Sequence, residues 1–99
     1  MKTVKVEYTV RDDYVETNKQ NINAVMAELR SLGDKGVQYS AFLKDDGKTF
    51  VHFAMSRDEE ASQVVPNLES FKVFREQLQT GAETPPVQEE LDLVDSSLD

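Results

Sequence analysis

His52 is the one histidine of the chain, and it stands in the middle of the apolar run Phe50-Val51-His52-Phe53-Ala54-Met55. Imidazole titrates near neutrality, so a histidine held in a pocket can serve as a general base or as a ligand contact. The commoner arrangement is a half-buried ring that makes one hydrogen bond to the backbone or to a tyrosine. Tyr8, Tyr14 and Tyr39 could donate hydrogen bonds to a substrate oxygen. An inward tyrosine is more often core, with its hydroxyl at the rim. The Phe71, Phe74 and Leu78 stripe could line an aromatic pocket, although its helical spacing is that of ordinary packing.

Other chemistry is excluded or weakly supported. There is no cysteine, so disulfides, thiolate catalysis and zinc–thiolate sites are out. A single histidine with no spaced carboxylate partner does not build a metal site, and none is expected. Gly47-Lys48-Thr49 resembles the end of a phosphate loop, but Phe42 stands where the first glycine belongs and the segment opens a strand. Asp12-Asp13 and Asp45-Asp46 lack the ligand count of a calcium loop and suit turns and caps.

The elements that must position these side chains follow from periodicity. Val4, Val6, Tyr8 and Val10 alternate with polar residues, which predicts a first strand over residues 2–10. Asp13 and Glu16 have capping-box spacing ahead of Val15, Ile22, Val25, Met26, Leu29 and Leu32, a helical stripe that Gly33 ends. Asn18 and Asn21 fall between these and weaken the helix slightly. Val37, Tyr39, Ala41 and Leu43 share one face of a second strand, and Asp45-Asp46-Gly47-Lys48 turns the chain into a third over residues 49–55. Ser56 with Glu59 predicts a capped short helix, broken at Pro66 and restarted by Asn67. A longer helix then runs to about Thr80, where Gly81 stops it. A fourth, acidic strand is expected over 87–94, paired by charge with Lys2 and Lys5, and residues 96–99 read as a frayed tail.

That order, βαββαβ, is the signature of an α+β ferredoxin-like sandwich: a four-stranded antiparallel sheet, strands 1 and 3 central, two helices on one face. It reads as one domain over residues 1–95, long enough at 99 residues to bury roughly two-thirds of its unfolded surface. The third strand is apolar on both faces. Phe50, His52 and Ala54 point one way, and Val51, Phe53 and Met55 the other. The helices cover one face. The other calls for a second layer, and a second copy of the same sheet predicts a homodimer with Val51, Phe53 and Met55 at its interface.

Net charge is −8, and residues 83–99 supply six acids with no Lys or Arg. Such a balance argues against nucleic acid and anionic membranes as partners. No apolar run approaches the ~20 residues of a membrane span, and Met1 to Lys5 lacks a signal-peptide core. A cytoplasmic location is expected.

Beyond its order of elements the sequence resembles the antibiotic-biosynthesis-monooxygenase-like dimeric α+β barrels. The resemblance is carried by Phe50-Val51-His52-Phe53, Ser56-Arg57-Asp58-Glu59-Glu60-Ala61, Ser70-Phe71-Lys72-Val73-Phe74 and Pro85-Pro86-Val87 with its acidic last strand. It implies a side-by-side dimer and a pocket in each subunit between sheet and helices. It also implies oxygenation of an aromatic or apolar small molecule without a conventional redox cofactor; none is expected here. Residues 50, 52, 54 and 56 would face that pocket, with His52 as the catalytic candidate. Tyr8, Tyr39, Ser56, Ser70 and Phe71 would contact substrate. Where the family often has an acidic residue, a Trp and a His, this chain has Ala54, Ser56 and Ser70. The alternative function is a non-catalytic dimeric ligand-binding or interaction module of the same fold.

Overall fold

The computed structural model describes residues 1–97 of the chain. Of the expected tail at 96–99, residues 98 and 99 lie outside the described residues. The strands are β1 (Lys2–Thr9), β2 (Val37–Leu43), β3 (Thr49–Ser56) and β4 (Val87–Leu91), and the helices α1 (Val15–Ser31) and α2 (Glu69–Gly81). The sheet order is β2-β3-β1-β4, and every neighbouring pair is antiparallel. This is the ferredoxin-like α+β sandwich, with β1 and β3 central.

Register fixes what faces what. Along β1 and β3, Val4 lies opposite Ala54, Val6 opposite His52 and Tyr8 opposite Phe50. Across β2 and β3, Tyr39 lies opposite Ala54 and Ala41 opposite His52. These residues share the face that the helices cover. Tyr8, Phe50, Ile22, Val25, Phe74 and Leu78 form the core there. Side chains alternate along a strand, so the opposite face carries Val51, Phe53 and Met55. Phe42 packs its ring edge-on against Phe53 at 6.0 Å and is 56% exposed.

The tight turns follow the sequence. Gly33 and Gly47 have φ of 75° and 77°, a conformation that a Cβ makes costly. Asp46 closes the β2–β3 turn by accepting from the amides of Lys48 and Thr49, each at 2.9 Å, and from the Thr49 hydroxyl.

Several expected ends differ. Asp13 does not cap a helix. A 3-10 turn over Asp12–Tyr14 precedes α1, and Asp13 instead accepts from Arg11 Nε at 3.0 Å. Ser56 is not a cap either, because β3 stays paired through it to Lys2 and Val37, leaving its backbone no freedom to start a turn. Asp58 takes that role, accepting the Ala61 amide at 2.8 Å. The expected short helix is two 3-10 turns, Ala61–Gln63 and Val65–Asn67, with Pro66 in the second. Asn67 turns its amide back to the Gln63 carbonyl, so it does not cap α2. β1 ends at Thr9, with Val10 bridging to Ala82 alone, and β3 extends one residue further, to Ser56. β4 stops at Leu91, not Val94, because Leu91 already faces Thr3, near the start of β1. Lys2 and Lys5 pair with Glu59 and Glu7 rather than with the acids of β4.

Gly81 is the last residue of α2, but its φ is not positive. Its smallness serves packing. A Cβ there would stand 2.4 Å from the Tyr14 ring.

Candidate functional site

A cleft lies between the helix-covered face of the sheet and the helices, in two parts that share Val6, Tyr39, Pro66, Phe71 and Gln88 as walls. The inner part, of about 390 Å³, adds Tyr8, His52, Phe74 and Arg75. The outer part, of about 250 Å³, runs toward the 3-10 turns and adds Val4, Ala54, Ser56 and Val65. An apolar lining with a few convergent polar groups is the usual make-up of a small-molecule site.

His52 is 3% exposed, and β3 sets its place at the centre of the sheet. One row away on β1 stands Tyr8, and one row away in the other direction, on β2, stands Tyr39. Long aromatic side chains reach across such diagonals. Tyr8 Oη lies 2.7 Å from His52 Nε2, and Tyr39 Oη 2.7 Å from His52 Nδ1. Both ring nitrogens therefore have partners inside the protein. The ring also packs against Phe74, with centroids 5.5 Å apart.

Burial governs the protonation of this group. Desolvation pushes the His52 imidazole down to about 4, so it is neutral at physiological pH. The same cause raises the hydroxyls of Tyr8 and Tyr39 well above the ordinary phenol range, which keeps both as O–H groups. A neutral imidazole between two phenols has one N–H to donate and one lone pair to accept.

Asn18 completes the cluster. It is fully buried, and its Nδ2 donates to Tyr8 Oη at 2.9 Å. By sequence alone Asn18 falls between apolar residues and only weakens the helix. It lies on the apolar stripe, four residues before Ile22 and seven before Val25, the other buried residues of α1. A polar residue at a stripe position is the signal that could have found it.

The remaining expected site residues divide. Phe71 lines both parts of the cleft and Ser56 the outer part alone. Ser70 is engaged elsewhere. Its amide and hydroxyl both donate to Glu28 Oε1, at 3.0 and 2.6 Å, which ties the first turn of α2 to α1. The Ser70 hydroxyl and amide in turn hold the Glu28 carboxyl below its ordinary range. Among the described residues no three His, Asp or Glu side chains gather as a metal site, and no helix is long and apolar enough to cross a membrane.

Fold and site together define an α+β sandwich with an aromatic-walled cleft under its helices. No family model matches the sequence, and no curated protein does either. Solved structures do match its fold over nearly the whole chain. An antibiotic biosynthesis monooxygenase superposes with a TM-score of 0.80 at 13% identity, covering 96% of this chain and 100% of its own. Rv0793 from Mycobacterium tuberculosis gives 0.82 at 18% identity, covering 97% of each chain. A variant of SnoaB, a cofactor-independent oxygenase from Streptomyces nogalater, gives 0.75 at 12% identity, covering 99% of this chain and 97% of its own. In fold, the chain resembles the antibiotic-biosynthesis-monooxygenase-like proteins, as its landmarks implied.

Proposed function

We propose that this chain binds an apolar or aromatic small molecule in the cleft between sheet and helices, and acts on it as a small cofactor-independent monooxygenase-like protein. The observation that carries this is the inner cleft, where Phe71 and Phe74 offer aromatic walls and Tyr39 and His52 the polar groups. The name of the SnoaB neighbour supplies the class of chemistry. His52 acts by holding the two tyrosines, and Tyr8, Tyr39 and Phe71 contact the ligand, with Ser56 at the outer end.

The protein works as a homodimer in this reading. Val51, Phe53 and Met55 lie on the sheet face that no helix covers, beside Phe42. Val51 is already buried within one copy, so the gain would come from Phe42, which is 56% exposed, and from the half-buried Phe53 and Met55. Fully burying a large apolar side chain is worth roughly 1.5–3 kcal/mol, and a second sheet is the simplest cover.

The alternative, a ligand-binding module without catalysis, is favoured by one observation. Both His52 nitrogens are already hydrogen-bonded within the protein. Oxygen uptake with a panel of polycyclic phenols in air separates the two. Ligand-dependent uptake that His52→Ala abolishes supports the oxygenase reading. Binding without uptake leaves the module, and full uptake in the variant removes His52 from the chemistry.

A further inference from the structure

The polar groups behind the cleft form a row, and the row has a direction. Asn18 Nδ2 donates to Tyr8 Oη, which also meets His52 Nε2; His52 Nδ1 meets Tyr39 Oη. A neutral imidazole has one N–H and one lone pair. Were the N–H on Nε2, Tyr8 would accept twice, and its own proton would be left without an acceptor in the core. An unpaired buried donor is costly. Giving that proton to Nε2 avoids the cost and places the ring N–H on Nδ1, where the Tyr39 oxygen accepts it.

The Tyr39 proton is then left over at the end of the row, and Tyr39 borders both parts of the cleft. Turning the Asn18 amide over would reverse the row. It would also strand both amide N–H groups in the core, whereas the present orientation strands one N–H and the Oδ1 carbonyl. Orphaned buried N–H groups are the rarer of the two.

We propose that Asn18, Tyr8, His52 and Tyr39 form a one-way hydrogen-bond relay that fixes His52 as its Nδ1–H tautomer and aims the Tyr39 hydroxyl into the cleft as a donor, selecting an aromatic ligand with a carbonyl or phenolate oxygen. Asn18 is its positioning residue, touching no ligand and setting the direction of every bond after it. The ligand half rests on the binding reading above; the tautomer half does not.

Two measurements test the halves separately. With a single histidine, long-range nitrogen NMR of the intact protein reports one imidazole. The expected result is a pyrrole-type Nδ1 and a pyridine-type Nε2, and the opposite assignment overturns the relay. Asn18→Asp at a pH where the carboxylate is ionised accepts the Tyr8 proton and is expected to exchange the two signals. Should that variant not fold, the wild-type spectrum still decides. Binding of 2-acetylnaphthalene is then compared with that of 2-ethylnaphthalene, which has no oxygen. One hydrogen bond predicts a preference of about 2- to 10-fold for the ketone, lost in Tyr39→Phe. Equal affinities overturn the donor role. Binding of neither probe overturns the ligand-binding reading while the tautomer result stands.

Discussion

Lowering the pH from 7.5 to 5 should unload His52 of most of its contribution to stability. The folded imidazole titrates at about 4, against 6.5 for the free side chain. Between these values the unfolded chain binds a proton that the folded chain refuses, so stability rises with pH across that window. The full gap between the two corresponds to about 3 kcal/mol. At pH 5 the unfolded histidine is largely protonated and the folded one largely neutral, so about 2 kcal/mol of that is already gone. For a marginally stable domain this is a large fraction of the total. Glu7, Glu28 and Asp46 also have lowered pKa values, chiefly from hydrogen bonds to Lys44, Ser70 and Thr49. Their contributions are present above the unfolded carboxylate values of 4.5, 4.5 and 3.8 and fade only as pH falls through and below them, beneath most of the histidine window. Urea unfolding followed by circular dichroism at pH 7.5, 6 and 5, at one protein concentration, reads the effect as a falling midpoint. His52→Gln cannot titrate and should lose the slope over this range. A wild-type midpoint that does not move, or a variant that keeps the slope, would refute the buried neutral imidazole.

Two further perturbations probe the frame around the site. Gly81→Ala places a methyl against the Tyr14 ring and should cost about 1–3 kcal/mol by overpacking, seen as a lower thermal midpoint. An unchanged midpoint would mean that Tyr14 has room to move. Phe53→Asp puts a charge on the uncovered sheet face. Sedimentation of the wild type should give about twice 11.2 kDa and the variant close to 11.2 kDa, whereas a wild type that is already monomeric overturns the dimer.

The sequence by itself determined the elements and their order. Alternation in β1 and β2, the helical stripe of α1, and the Asp46-Gly47 turn are local patterns, set by strand and helix geometry within a few residues. The two apolar faces of β3 were legible in the same way, because strand side chains alternate. The details of the helix ends were less legible. Ser56, which by spacing was the cap, is held in the sheet by partners 19 and 54 residues away, Val37 and Lys2. Asp58 was free to take its place.

Only the tertiary structure decided what the candidate site residues meet. His52 could be placed on the helix-covered face from alternation, but its partners depend on the register of β1 and β2 against β3, and no local pattern sets that. A shift of one residue would have turned Tyr8 away altogether. Asn18 became visible only when α1 was laid on the sheet, because its role is to meet a hydroxyl on another element. Ser70 was likewise drawn from the cleft by a carboxylate on α1. Periodicity tells which way a side chain faces, whereas long-range packing decides what it meets there, and chemistry depends on the second.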